Sequence, residues 1–294
     1  MKKKIDIEKV ATIDIGSNAI RLLISNVFSL EGKLYHTKNS FYRVQLRLGD
    51  DSFKRGIISD INKEKLISTL KSFKLLMDVN DVKKYLAYAT SAMRGINDSK
   101  KIIRLIQKHT NIKVEIITGK KESEILAKND ISQHVGKAKN YCFIDVGGGS
   151  TEVIIYKNGE FYKSKSFKIG GVRIINDLVD DKTWREFELW LKNNASELKK
   201  LKLIGIGGNI NKLYKISGVQ YTKPLNKKKF KSTLHKIEKM STSKKLIKLK
   251  LNPDRIDVIL PAGKIYYFMM KKIGVKEIYV PRIGLANGMV SELI

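Results

Sequence analysis

The sequence predicts an α/β fold built from two related halves, and three observations carry that expectation. Apolar runs of strand length alternate with segments whose apolar residues recur at helical spacing. An acidic turn, Asp14-Ile15-Gly16-Ser17-Asn18, ends one such run, and Asp145-Val146-Gly147-Gly148-Gly149-Ser150-Thr151-Glu152 ends another 131 positions later. At 294 residues the chain is long for one core, so one large or two medium domains are expected, and the repeated turn favours two.

The first half reads in order as strands Val10–Ile15 and Arg21–Phe28, a turn at Glu31-Gly32, and further strands Lys33–Thr37 and Phe41–Leu48. Leu66, Leu70, Phe73 and Leu76 mark a helix within Ile61–Met77. Tyr85–Ala89 is a short strand, Lys100–His109 a helix and Lys113–Ile117 a strand. Gly119 breaks that strand before a helix expected near Lys121–His134.

The second half restarts the plan with strands Tyr141–Val146, Glu152–Tyr156 and Phe161–Phe167. Gly170-Gly171 leads into a helix, Thr183–Leu198 is another, and strand Leu201–Ile206 ends at Gly207-Gly208-Asn209. Tyr221–Lys250 is strongly basic and helical in character, Asp254–Ile273 contains a long apolar helix, Lys276–Val280 is a strand and Gly284–Ile294 a last helix. The expected domains are 1–121 and 122–294, with helix 284–294 free to pack back on the first.

The formal net charge is +29, and 48 of the 58 basic residues are lysine. A lysine-rich composition accounts for this without any function; a polyanionic ligand would exploit it, because such charge raises local anion concentration. Helix-turn-helix, zinc-finger and aromatic-basic signatures are missing from the sequence, so nucleic acid is not the expected partner. The single Cys142 sits in the apolar run Tyr141–Ile144 and reads as a small buried residue. One cysteine excludes an intrachain disulfide framework and agrees with a reducing compartment. No long apolar stretch follows the basic Met1-Lys2-Lys3-Lys4 before Asp14, and no window approaches the ~20 apolar residues of a membrane span. A cytoplasmic protein without a membrane partner is expected.

An aspartate at a strand end followed by a glycine-serine turn sets a carboxylate beside backbone N–H groups. The amides can face a phosphate while the acid faces its Mg²⁺. A lone turn of this kind is commonly a plain β-turn. The second is the stronger signal, because Gly147, Gly148 and Gly149 permit close backbone approach to an anion and Glu152 adds a carboxylate. Ligand clefts in α/β sheets form at the carboxyl ends of strands, where Asp14, Arg94, Asp145 and Gly207-Gly208 all fall. Arg94 suits either a structural salt bridge or a bidentate grip on phosphate. Glu122, at a helix start, suits either dipole complementation or chemistry. His36, His109, His134 and His235 show no metal-ligand spacing, and Lys227-Lys228-Lys229-Phe230-Lys231 reads as a solvated helix face.

These residues, in order along nearly the whole chain, resemble the exopolyphosphatase and guanosine-pentaphosphate phosphohydrolase (Ppx/GppA) family. The blocks that carry the resemblance are Ile13–Asn18, Leu46-Arg47-Leu48-Gly49, Ala89–Arg94, Ile117–Glu122, Asp145–Glu152, Ile169–Arg173, Gly205–Gly208 and Arg255–Pro261. The resemblance implies two actin-like, ribonuclease-H-like lobes of the sugar-kinase, heat-shock-chaperone and actin superfamily around a central cleft, in a short two-domain form. It also implies Mg²⁺ or another divalent cation, with K⁺ a further candidate, and leaves a homodimer open.

The activity implied is hydrolysis of a terminal phosphoryl group of inorganic polyphosphate. Guanosine pentaphosphate (pppGpp) or another nucleotide anhydride is an open alternative. So are an ATP-dependent kinase of the same superfold and a non-catalytic polyphosphate or alarmone binder. Under the resemblance Glu122 is the catalytic base, Asp145 and Glu152 hold the metal, and Asp14 assists. Gly16, Ser17 and Asn18, Gly147 to Ser150, and Gly207 with Gly208 then bind phosphate together with Arg94. The chain departs from the family at Lys121, where a second glutamate is usual, at Glu124 and Asn209, and at Gly284–Gly288, which lacks the Arg-Glu pair. Lys121 is expected to lower the proton affinity of Glu122.

Overall fold

A computed structural model describes residues 6–129, 131, 136 and 138–294. The basic start Met1–Lys4, His134 and most of the expected helix after Asn129 lie outside the described residues. The chain divides into two compact units, one of residues 1–129 with 285–294 and the other of residues 130–284. The first unit thus runs past the boundary expected at 121/122 and takes in the last helix.

In the first unit β1 (Ile7–Ile15), β2 (Ala19–Leu30) and β3 (Lys33–Gln45) form an antiparallel meander. Helices α1 (Leu48–Arg55) and α2 (Asp60–Val79) follow, then β4 (Lys84–Ala89), α3 (Ser91–Arg94), α4 (Ser99–Thr110), β5 (Glu115–Ile116) and α5 (Gly119–Ala127). The sheet order is β3-β2-β1-β4-β5, with β4 parallel to β1. Central β1 is buried on both faces, which is why Val10–Ile15 is almost continuously apolar. Ala11, Ile13 and Ile15 join Leu66, Leu70 and Phe73 of α2 in one core, while Val10 meets Ala286 and Val290 on the other face.

The strands expected at 33–37 and 41–48 are one strand. A register shift opposite Ile24/Ser25 accommodates Asn39 as an extra residue, and the chain turns into α1 at Leu48. The acidic first turn and basic last turn of α1 complement its dipole.

The second unit repeats this path. It contains β6 (Tyr141–Val146), β7 (Thr151–Lys157), β8 (Glu160–Phe167), α6 (Gly171–Ile175), α7 (Asp181–Asn194), β9 (Lys202–Ile206) and α8 (Gly208–Ser217). Then come β10 (Leu225–Asn226), α9 (Lys227–Glu238), α10 (Thr242–Leu249), α11 (Ile259–Lys272) and β11 (Glu277–Tyr279); α12 (Leu285–Val290) belongs to the first unit. The order β8-β7-β6-β9-β11 reproduces that of the first sheet, and β10 adds one strand at its edge. Both units therefore carry the actin-like α/β plan.

The basic stretch 221–250 is two helices. Asn226 caps α9 and Ser241 caps α10, each side chain accepting from a backbone N–H three residues on. Cys142 is fully buried among Ile144, Leu203 and Ile265, as its apolar setting predicts. Among the described residues, no helix is long and apolar enough to cross a membrane.

Candidate functional site

In the first unit, the β1–β2 turn is closed by Gly16 N–H donating to Ala19 O at 3.2 Å. The next carbonyls are held from the β3–α1 corner: Ser17 O accepts from Gly49 N–H at 2.8 Å, and Asn18 O from the N–H groups of Leu46 and Arg47. The loop is thus fixed to that corner through the carbonyls of Ser17 and Asn18. Asp14 is only 5% exposed and receives Arg21 Nη1 at 2.5 Å, because the two residues are partners across β1 and β2.

At the carboxyl end of β4, α3 delivers Arg94. Its Nη1 donates to Ile117 O at 2.8 Å and to Glu122 Oε2 at 3.0 Å. Glu122, 8% exposed, stands in the first turn of α5, where Thr118 Oγ1 accepts from Lys121 N–H and caps the helix. Arg94 and Glu122 therefore come together from two elements as an ion pair, with the arginine also fastened to the corner between β5 and α5.

Lys121 has a carboxylate partner of its own in Glu292. Its ammonium lies 2.7 Å from Glu292 Oε1, and that hydrogen bond, against a smaller cost of burial, raises its pKa. Glu122 accepts from the Arg94 guanidinium.

In the second unit, Asp145 and Glu152 are direct partners across β6 and β7. Directly opposed side chains on adjacent antiparallel strands are about 5 Å apart at Cβ. Glu152 is 2% exposed, and its Oε1 accepts from Ser166 Oγ at 2.8 Å. Gly147 N–H donates to Ser150 O at 2.9 Å to close the glycine turn. Its carbonyls are gripped by the start of α6: Gly147 O accepts from Gly171 N–H, Gly148 O from the N–H groups of Val172 and Arg173, and Gly149 O from Arg173 Nε. A Cβ on Gly170 would overlap the Gly148 carbonyl, so only glycine allows this packing.

Tyr266 ties the strand ends of the second unit together. Its hydroxyl donates to Ile206 O at 2.6 Å and accepts from Val146 N–H at 3.1 Å, joining the ends of β9 and β6. Burial, then the Asp145 charge, drive its pKa well above the ordinary phenol value, so it stays a neutral donor. Gly207 has φ +100°, and a Cβ there would overlap Asp145 Oδ1. Gly208 O accepts from Arg255 Nη1.

The acids predicted at the metal do not present alike. Asp145 and Glu152 form an adjacent pair, whereas Asp14 is held by an arginine. Among the described residues, no group of three or more His, Cys, Asp or Glu side chains is placed to hold a metal ion. A pair of carboxylates still suits Mg²⁺, which takes one or two from protein and completes its shell with water and substrate phosphate. Sequence reasoning missed Arg21, Tyr266 and Ser166. Arg21 had a signal, for it follows Asp14 at the spacing by which Glu152 follows Asp145. A tyrosine inside an apolar helix and a serine in an edge strand carry none.

The Ppx/GppA phosphatase family model matches residues 40–294. A bifunctional 3-dehydroquinate synthase/phosphatase of Fusobacterium nucleatum is 31% identical over 215 residues, which cover 67% of this chain and 32% of that protein. Exopolyphosphatase 1 of Mycobacterium bovis is 27% identical over 173 residues, covering 59% of this chain and 49% of its own. The matched regions thus span a third to a half of these curated relatives. Among solved structures, the Aquifex aeolicus Ppx/GppA family member has a TM-score of 0.74 at 24% identity, covering 98% of both chains. An exopolyphosphatase from Cytophaga hutchinsonii has a TM-score of 0.79 at 22% identity, covering 97% of both. These structural likenesses establish the fold.

Proposed function

Because the chain belongs to the Ppx/GppA phosphatase family, we propose that it is a phosphohydrolase releasing the terminal phosphate of inorganic polyphosphate. The observation that carries this reading is the Arg94–Glu122 pair at the start of α5, a carboxylate base and an anion-binding cation in hydrogen-bond contact. The net charge of +29 favours a polyanionic substrate.

In this reading Glu122 accepts a proton from water as the water oxygen attacks the terminal phosphorus. The bridging P–O bond breaks, and its electron pair leaves on the new terminal oxygen of the shortened chain. Arg94 neutralises the transferred phosphoryl oxygens while remaining fastened to Ile117 O. Within the first unit the amides of Ser17 and Asn18 would serve phosphate oxygens, and within the second those of Gly148–Ser150 with the Gly207-Gly208 turn, since Gly16 and Gly147 N–H close their own turns. Asp145 and Glu152 would hold a divalent cation, which supplies charge neutralisation at the phosphate oxygens. Phosphoryl transfer needs this positioning and neutralisation more than covalent chemistry.

The test is phosphate release from short polyphosphate, long polyphosphate and guanosine pentaphosphate, each with Mg²⁺ and with a chelator. Release from polyphosphate that chelation abolishes supports the proposal. Release from the nucleotide alone reassigns the substrate, and binding of polyphosphate without release from any substrate makes the protein a binder.

A further inference from the structure

The carboxylate of Glu292 is partly buried in the first unit, on the segment Leu285–Ile294, and lies outside the machinery described above. Its Oε1 accepts from Lys121 Nζ at 2.7 Å and from Lys128 Nζ at 2.9 Å, and its Oε2 from Tyr88 OH at 3.0 Å. Lys121 and Lys128 are seven residues apart, two turns of α5, so one oxygen clasps both ends of a single helix face. Tyr88 belongs to β4, the strand that leads through Thr90 into α3 and Arg94.

Glu292 therefore ties β4 to α5, and the Arg94–Glu122 pair ties α3, which directly follows β4, to the same helix. The segment is held in place by other contacts as well. Thr12 Oγ1 donates to Ala286 O at 2.9 Å, and a Cβ on Gly288 would overlap the Ile125 carbonyl of α5, so α12 lies directly against that helix.

We propose that Glu292 is a positioning residue, setting the spacing of β4 and α5 and through it the Arg94–Glu122 geometry. This also gives Lys121 a role: the cation that stands where the family has an acid is the partner of Glu292. An acid at 121 would place two carboxylates together at a partly buried site. The proposal rests on Glu122 being the base.

Burial pushes the Glu292 carboxyl up, but the bonds from Lys121, Lys128 and Tyr88 outweigh it and hold its pKa below the ordinary glutamate value. Burial, then the same carboxylate, raise the Tyr88 phenol to about 12. The other charges facing this cluster are Glu115 of β5 and Glu124 of α5. Near neutral pH the Glu292 carboxylate therefore stays ionised, Lys121 charged and Tyr88 a neutral donor.

The test is Glu292→Gln in the full chain, read by hydrogen exchange and by kinetics. Exchange of the 119–127 amides is expected to quicken at least about tenfold while that of α9 stays unchanged. The kcat for phosphate release is expected to fall about tenfold with KM nearly constant, as misplacement of a catalytic group produces. The acid limb of the kcat–pH profile should move, which a loss of folded fraction alone would not cause. Lys128→Met removes one of the two ammonium bonds and should act in the same direction more weakly, which serves if the glutamine variant does not fold. Unchanged exchange in α5, or quickened exchange with unaltered kcat and pH limb, overturns the proposal. If the unaltered protein releases no phosphate, the hydrolase reading fails separately, and the exchange result still decides whether Glu292 anchors α5.

Discussion

Asp145 faces Glu152 across β6 and β7 at the register where Asp14 faces Arg21 across β1 and β2. The two hairpins share one register, and the residue that faces the aspartate differs between them. In one the aspartate is neutralised by a guanidinium. In the other a second carboxylate doubles the negative charge, an arrangement that costs free energy unless a cation offsets it.

The role assigned to Glu122 predicts that Glu122→Gln lowers phosphate release by roughly 10²–10⁴-fold, the usual contribution of a general base. Polyphosphate binding, measured by calorimetry on the same preparation, should stay within a few fold. Wild-type turnover in this variant would remove Glu122 from the mechanism.

Arg21→Met should destabilise the protein by about 1–3 kcal/mol, because it leaves the Asp14 carboxylate buried without its cation. Adding Asp14→Asn should recover part of that loss. Urea unfolding of the two single variants and the double variant measures the coupling, and simple additivity would show the pair to be worth nothing.

Gly207→Ala introduces a Cβ at φ +100°, where it overlaps Asp145 Oδ1. Strain at such a backbone position costs about 1–3 kcal/mol. Displacement of Asp145 should also weaken Mg²⁺ binding, seen as a higher Mg²⁺ concentration for half-maximal release. An unchanged Mg²⁺ requirement would dissociate Asp145 from the metal.

Asp51 provides a pH prediction. Burial raises its carboxyl pKa, but bonds from Ser59 Oγ and N–H, from Asn62 and from Arg55 outweigh that and bring it to about 2, against an ordinary value of 3.8. The folded value is the lower one, so the stabilisation is present above pH 3.8 and is lost as pH falls towards 2. The shift corresponds to about 2 kcal/mol. Asp51→Asn should therefore be less stable than the wild type at pH 6 by about this amount. The gap should close on acidification, measured by urea midpoints at several pH values. A gap independent of pH would assign the effect to packing.

By itself the sequence determined the α/β class, the twofold repeat of the acidic glycine turns and the apolar central strands. These depend on local period and on turn chemistry, which are written in neighbouring residues. It also marked Glu122, Arg94, Asp145 and Glu152, since each lies beside a strand end or a turn. Only the tertiary structure decided the partners: Arg21 for Asp14, Arg94 for Glu122, Glu292 for Lys121, and Tyr266 across the ends of β6 and β9. Sheet register and helix packing choose such pairs between residues far apart in the chain. Charge and burial at a position follow from those neighbours rather than from the residue's own place in the sequence.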